Sequence, residues 1–454
     1  MKTRICSSSA ALTMTLILAG SATNVWADDG NTDRNNQFDF ALIGDVPYAP
    51  TGVVSAVIGA TGTAFANRNV QTYPAPDYDA LIADINAHSK VLFTVHMGDI
   101  KAGNTWCQGN GSAARDIYKL DPVTNALVPA ADNVYAKNLA YFGAYRNAAI
   151  YQPGDNEWTD CHRTNNGSYN PTERLNYIRT TAGFFNSTQS LGQRPITLQR
   201  QSSDINPLTL APYIYKENVM WRTGSIIFVG LNQPGSNNNH QRNVSASVPA
   251  PIDDNEAEYA ARSAANIVWI QKAFAAANLD STTKAVVIMQ QANVFERYLE
   301  PAQGYTESGF GAFVSELRTQ TVLFGKPVVL VGGDTHTVRV DKPLTTLYPA
   351  TCTPTAANTS GTTPSCAQVA GSPTGCSLVL PTPAGATPCK GVVTPSQGNR
   401  IQNFTRVEVF GSPDVAWIRA VVDPFDPNVF SFSMQTIAGT GHGRDGFDND
   451  DDLQ

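Results

Sequence analysis

The chain reads as an α/β protein, because apolar strand-like runs alternate with amphipathic helical patterns and four of the runs end on a Gly-Asp pair. The first run, "FDFALIGDVPY", ends at Asp45. The segment "PDYDALIADINAH" then places Tyr78, Leu81, Ile82 and Ile85 on one helical face. A second run, "KVLFTVHMGDIKAG", ends at Asp99, and a third, "AIYQPGDNEW", ends at Asp155. "SIIFVGLNQPGSNNN" is a fourth strand, "EAEYAARSAANIVWIQKAFAAANL" an amphipathic helix and "KAVVIMQQANVF" a fifth strand. The sixth, "KPVVLVGGDTHTVRVDKPL", ends at Asp334.

Composition bounds the rest. With 454 residues, 42% hydrophobic and 15% charged, the chain can order one large domain with insertions or two ordinary ones. A net charge of −7 supplies no basic footprint, so no nucleic-acid partner is expected. Lys2 and Arg4, an apolar run from Ala10 to Ala19, and the small-residue pattern at Val25 and Ala27 predict a cleaved secretory signal over residues 1–27. The run is shorter than the roughly 20 residues a membrane span needs, and no later segment is long enough either. The expected location is the periplasm or the exterior.

After the signal, six cysteines remain, an even set that argues for disulfides in an exported chain. Cys352, Cys366, Cys376 and Cys389 lie in a Pro, Thr, Gly and Ser-rich stretch that predicts a disulfide-stapled insertion over 349–399. The tail "GHGRDGFDNDDDLQ" alternates Asp but lacks the twelfth-position Glu of an EF-hand, so residues 437–454 read as a solvated acidic end.

Open α/β sheets bind ligands beyond the carboxyl ends of their strands, which sends Asp45, Asp99, Asp155 and Asp334 to one edge. Any one "GD" pair can simply cap a turn. Four clustered carboxylates would repel one another, and divalent cations are the usual way of keeping such a group ionised.

The order "GDVPY", "GDIKAG", "GDNEW", "MQQAN", "GGDTH" resembles the five motif blocks of the calcineurin-like metallophosphoesterases, and looks closest to a group of exported bacterial proteins in that superfamily. The similarity covers roughly 38–345, with "RVEVFGSPDVAWIRAVVDP" resembling the closing segment. The resemblance implies one domain over 38–436, folded as a four-layer α/β/β/α sandwich with metal at the strand ends. Carried over block by block, Asp45 matches the metal-binding Asp and Asp99 the bridging Asp, while Pro47 replaces a ligand His. Asp155 stands at the Asn ligand position and Asn156 at that of the His assisting the leaving group. Gln290 or Gln291 occupies a His position, Asp334 replaces the first His of the last block, and His336 retains the second.

Of six histidines only His336 falls on a ligand position, so the site is oxygen-rich and suits one or two Mg, Mn or Ca ions better than Zn or Fe. Lys101, Arg163 and Arg339 follow metal-bearing acids and are candidates to neutralise charge on a transferring phosphoryl group, with salt bridging to those acids as the plainer account. Asn156 cannot supply a proton, which leaves His162 and Glu157 as candidate acids. The function expected is an exported metal-dependent phosphoesterase acting on a small-molecule phosphomonoester or phosphodiester through a metal-activated water. The alternative is a protein of that fold that has lost turnover and serves as a metal-dependent binding module. If Asp99 and Asp155 share one cluster, their loops run side by side and Cys107 can bond Cys161; pairing of either with the insertion is the competing arrangement.

Overall fold

Runs rich in Val, Ile and Phe assemble into two mixed sheets in this computed structural model. It describes residues 37–48, 75–107, 134–240, 255–295, 308–347 and 399–437, plus short strands within 51–71, 117–129, 351–354 and 391–400 by their backbone. The expected signal at 1–27, the tail beyond Ile437 and most of the insertion at 349–399 lie outside the described residues, as does the pairing of the four insertion cysteines.

The first sheet contains β1 (Phe38–Ile43), β2 (Val91–His96), β3 (Ala148–Tyr151), β4 (Leu191–Gly192), β12 (Ala416–Val422) and β13 (Phe430–Thr436), in the order β4-β3-β2-β1-β12-β13. The second contains β5 (Gln199–Arg200), β6 (Val219–Thr223), β7 (Ile226–Gly230), β8 (Ala285–Met289), β9 (Val328–Gly332), β10 (Arg339–Asp341) and β11 (Phe404–Glu408). Its order is β5-β6-β7-β8-β9-β11-β10. β1, β2 and β3 run parallel, and so do β7, β8, β9 and β11, so each set has all its carboxyl ends on one edge.

Helices α1 (Pro76–Ala87), α2 (Val134–Ala144) and α3 (Pro171–Thr180) share a core with the first sheet, which holds Ile43, Leu81, Ile85, Phe142, Tyr151 and Ile178. Helices α4 (Asn255–Leu279) and α5 (Gly311–Phe324) share another with the second sheet, through Trp269, Phe274, Leu317, Ile227 and Ile288. A third core draws on both sheets. There Phe40 stacks on Phe93 at 5.3 Å between ring centres, and Phe228 meets Phe93 edge-on at 5.0 Å. Covering both faces is why these strands are apolar throughout rather than alternating. Truncating Phe93 to Ala would cost about 3–5 kcal/mol. No helix among the described residues is long and apolar enough to cross a membrane.

Candidate metal centre

Three of the four Gly-Asp strands stop in the same way. After β1, β2 and β9 the chain turns through a left-handed Asp, with φ of +53° at Asp45, +56° at Asp99 and +77° at Asp334. Asp tolerates this region better than most residues, and such strain collects at functional sites. Glycine makes the close approach possible: a methyl group on Gly154 would collide with Asp99 Oδ1, and one on Gly333 with Asp45 Oδ2.

The result joins the edges of the two sheets. Asp99, Asp155 and Asp334 offer carboxylate oxygens that all lie within 4.8 Å of one another. Asp45 is fully buried beside them, its carboxylate accepting from the Asp334 N–H at 3.1 Å and 3.2 Å and lying 3.4 Å from His336 Nε2. Burial, then the charges of Asp155, Asp45, Glu157 and Asp334, hold Asp99 well above the usual carboxylate range. Burial raises Asp45 too, against the pull of His336. Burial alone would lower His336, but Asp45 outweighs it and the imidazole is raised.

Of the two glutamines at the fourth block, Gln291 enters the cluster and Gln290 does not. Gln290 is tied to Gln233 and to Ala292 O. The Gln291 carbonyl, expected as a metal ligand, instead accepts from the Gly235 N–H, and its amide nitrogen faces Asp99 Oδ2 (3.2 Å), Asp155 Oδ1 (3.2 Å) and Asp334 Oδ1 (2.9 Å). An amide nitrogen has two hydrogens, so three anionic acceptors exceed what it can satisfy. This all-oxygen set of mutually repelling, glycine-backed carboxylates fits a hard divalent cation held by Asp99, Asp155 and Asp334.

The structure places the other candidates as follows. Glu157, read as an acid facing substrate, is fully buried, and its Oε1 accepts from Tyr151 Oη (2.7 Å), the Gly154 N–H (2.7 Å) and the Asp99 N–H (3.2 Å). It ties the second and third loops together, and burial pushes its carboxyl up to about 7. Lys101, read as substrate-binding, is also fully buried and donates to Ala102 O and Thr105 O; burial lowers its ammonium to about 8. Partly exposed Arg339 lies 3.8 Å from buried Glu408, which buried Arg406 also faces at 3.6 Å. His162 sits on the 3-10 turn Thr159–His162 with Nδ1 2.6 Å from Thr159 O. Arg163 pairs with Asp160 at 2.8 Å and donates to Ser236 Oγ at 3.2 Å. Asn156 binds Asp99 Oδ1 through its N–H at 3.1 Å and Tyr48 Oη through its side chain at 3.0 Å. The Cys107–Cys161 disulfide forms, with Cα atoms 5.7 Å apart.

Two participants were missed in the sequence. Tyr48, directly after Pro47, has its hydroxyl 3.3 Å from His336 Nε2. Burial and the charges of Asp99 and Asp45 keep that phenol protonated. Ser236 Oγ lies 2.7 Å from Asp155 Oδ2 and 2.8 Å from Asp160 Oδ1. It sits in a run of four left-handed residues, Ser236 to Asn239, with φ of +46°, +51°, +58° and +63°. Arg262 of α4 holds the run, donating to Asn238 Oδ1 (2.5 Å) and Asn238 O (2.9 Å) while stacking 5.2 Å from the Trp158 ring centre. "GSNNNH" follows a strand end from which it can reach the site, though clusters of Gly, Ser and Asn are more often turns; three successive Asn, the residue most tolerant of left-handed backbone after Gly, were the further signal.

Compared with known proteins, the chain matches no family model and no curated protein.

Proposed function

We propose that this chain is an exported metal-dependent phosphoric ester hydrolase, with the α/β/β/α layering of the metallophosphoesterases. The observation that carries the reading is the meeting of three strand-end carboxylates from two different sheets within 4.8 Å. The three apolar cores, one drawing on both sheets and one shared by each sheet with its own helices, support the layering. The Cys107–Cys161 bond supports export to the periplasm or beyond, since such bonds persist in oxidising compartments.

A bound divalent cation would lower the pKa of a coordinated water and polarise a phosphoryl oxygen. Asp99, Asp155 and Asp334 would hold it, and Mg, Mn or Ca suits them better than Zn or Fe. Ser236 and Asn156 fix the orientation of Asp155 and Asp99. His336 is set by Ser412 O, 2.6 Å from its Nδ1; the carbonyl can only accept, so Nδ1 carries a hydrogen and Nε2 faces Tyr48 and Asp45. That places a proton-carrying pair, Tyr48 and His336, beside Asn156, where the family resemblance puts the leaving group. Small phosphomonoesters or phosphodiesters are the substrates in this reading.

A second reading, a metal-dependent binding module without turnover, draws on Gln291, whose amide nitrogen already lies among the three acids. Dialysed protein is to be assayed for metal content and for hydrolysis of p-nitrophenyl phosphate and bis-p-nitrophenyl phosphate with Mg, Mn, Ca and Zn in turn. Turnover that vanishes in Asp99→Asn supports the hydrolase. Metal retained without turnover supports the module, and neither metal nor turnover with any ion removes both.

A further inference from the structure

Between β5 and β6 the chain runs through "DINPLTLAPYIY", residues 204–215, without a charge from Ile205 to Tyr215. Ile205, Leu208, Leu210 and Ile214 are 56%, 91%, 79% and 63% exposed. Single exposed aliphatics are ordinary, but four within ten positions of one ordered loop make a patch that calls for an occupant.

The backbone of the loop indicates which occupant. The Asn206 N–H donates to Ala211 O at 2.8 Å, that of Leu210 to Asn206 O at 2.8 Å and that of Tyr213 to Asp204 O at 3.0 Å. Asn206 Oδ1 accepts from the N–H groups of Leu208 (2.9 Å) and Thr209 (3.4 Å), and the Ala211 N–H reaches Thr209 Oγ1 at 3.5 Å. Pro207 and Pro212 have no N–H. From Asn206 to Tyr213, every backbone donor is therefore either absent or satisfied inside the loop. A strand-adding protein partner needs a row of free donors, which this loop does not offer. A bilayer surface makes no such demand: aliphatic side chains enter it while the carbonyl oxygens of the loop stay in the hydrated headgroup layer. At the base, Tyr213 and Tyr215 pack with Ala265 of α4, and Lys272 neutralises Asp204 at 2.6 Å, so a firm foot carries an uncharged tip.

We propose that the loop Ile205–Ile214 is a lipid-docking finger that lowers its aliphatic side chains into the surface of a zwitterionic bilayer. With a net charge of −7, the chain gains nothing from anionic headgroups. Register places Val219 opposite Gly230, Gly230 opposite Met289 and Met289 opposite Val331, so the segment carrying the finger enters the second sheet at the edge from which Gln291 and Asp334 emerge. A phosphoester carried by a lipid is accordingly the substrate class we add, a step that rests on the hydrolase reading while the docking itself does not.

Sedimentation of the full chain with phosphatidylcholine vesicles tests the docking. The parent is expected to pellet with the vesicles, no more strongly when phosphatidylglycerol is added, and Leu208→Asp/Leu210→Asp is expected to partition at least tenfold less, with an unchanged near-ultraviolet spectrum. Three results overturn the proposal: no vesicle binding by the parent, equal binding by the variant, or a dimer detected by light scattering that the two Asp substitutions dissolve. For the substrate class, the variant is expected to hydrolyse soluble p-nitrophenyl esters like the parent but vesicle-borne phosphoester at least tenfold more slowly. Equal rates on vesicles overturn the lipid substrate and leave the docking standing, and absence of hydrolysis of every ester removes the hydrolase reading while sedimentation still decides the docking.

Discussion

Behind β6 and at the strand-end edge, the protein buries a carboxylate completely, and the two groups are displaced in opposite directions. Glu217 receives Arg179 Nε at 2.9 Å and 3.0 Å and Asn232 Nδ2 at 3.0 Å, and although burial lifts it, Arg179 outweighs burial and holds it below the usual range. Asp99 is just as buried, but its charged neighbours are Asp155, Asp45, Glu157 and Asp334, and it is driven well above that range. Burial alone therefore distinguishes nothing; the sign of the partner does. A buried acid matched by a base holds structure together, whereas a buried acid among acids burdens the fold and marks a candidate site.

The largest effect that would sharpen this contrast comes from removing the base. Arg179→Met leaves Glu217 uncompensated and should cost about 3–5 kcal/mol in urea unfolding. A loss under 1 kcal/mol would mean that Glu217 takes up a proton at no cost, which contradicts its lowered position.

Next comes the hydroxyl that holds Asp155. Ser236→Ala should weaken Mn binding about 10–100-fold by calorimetry, the usual range for a group that orients a metal ligand. Unchanged affinity would show that Asp155 is positioned by its own loop.

Removing an acid should do what removing Arg179 does not. Asp99→Asn relieves repulsion, so the metal-free protein should become more stable by about 1 kcal/mol or more while losing its metal. Destabilisation of the metal-free form would break the comparison, since Asp99 would then be serving structure as Glu217 does.

The last contrast lies in the pH dependence of the chelated protein. Glu157 and Asp160 are both pushed up to about 7 by burial, so the folded state holds their protons more tightly than the unfolded chain does. Their share of stability is present below the ordinary carboxylate range and is lost as pH rises toward 7. His96 opposes them: burial lowers it to about 4, so its contribution is lost as pH falls from about 6.5 toward 4. With two such acids against one imidazole, and with Asp99 and Asp45 raised as well, thermal unfolding in EDTA should reveal greater stability at pH 5.5 than at pH 8, by on the order of 2 kcal/mol. A midpoint that rises with pH would mean that the acids do not burden the metal-free fold.

Much of this site was legible because its signals are local. Strand, Gly and Asp are adjacent in the chain, so Asp45, Asp99, Asp155 and Asp334 could be marked and assigned to one edge by the topology of parallel strands. Lys101 and Glu157 were misread for the converse reason. Their charges suggested contact with substrate, but whether a polar group two residues from a strand-end Asp faces solvent or interior depends on the path of its loop. Both turned inward, Lys101 to carbonyl oxygens and Glu157 to three donors.

By itself the sequence determined the α/β class, the acids at the strand ends and the cysteine pair that follows two of them, because periodicity, turn chemistry and spacing are properties of neighbouring residues. Only the tertiary structure decided that Gln291 rather than Gln290 enters the cluster, and that it does so by its nitrogen. It alone brought Tyr48 to His336 and Ser236 to Asp155, pairs separated by 288 and 81 positions. Such contacts are set by how the two sheets pack face to face and by which backbone group claims which lone pair, and these are decided by the whole fold at once.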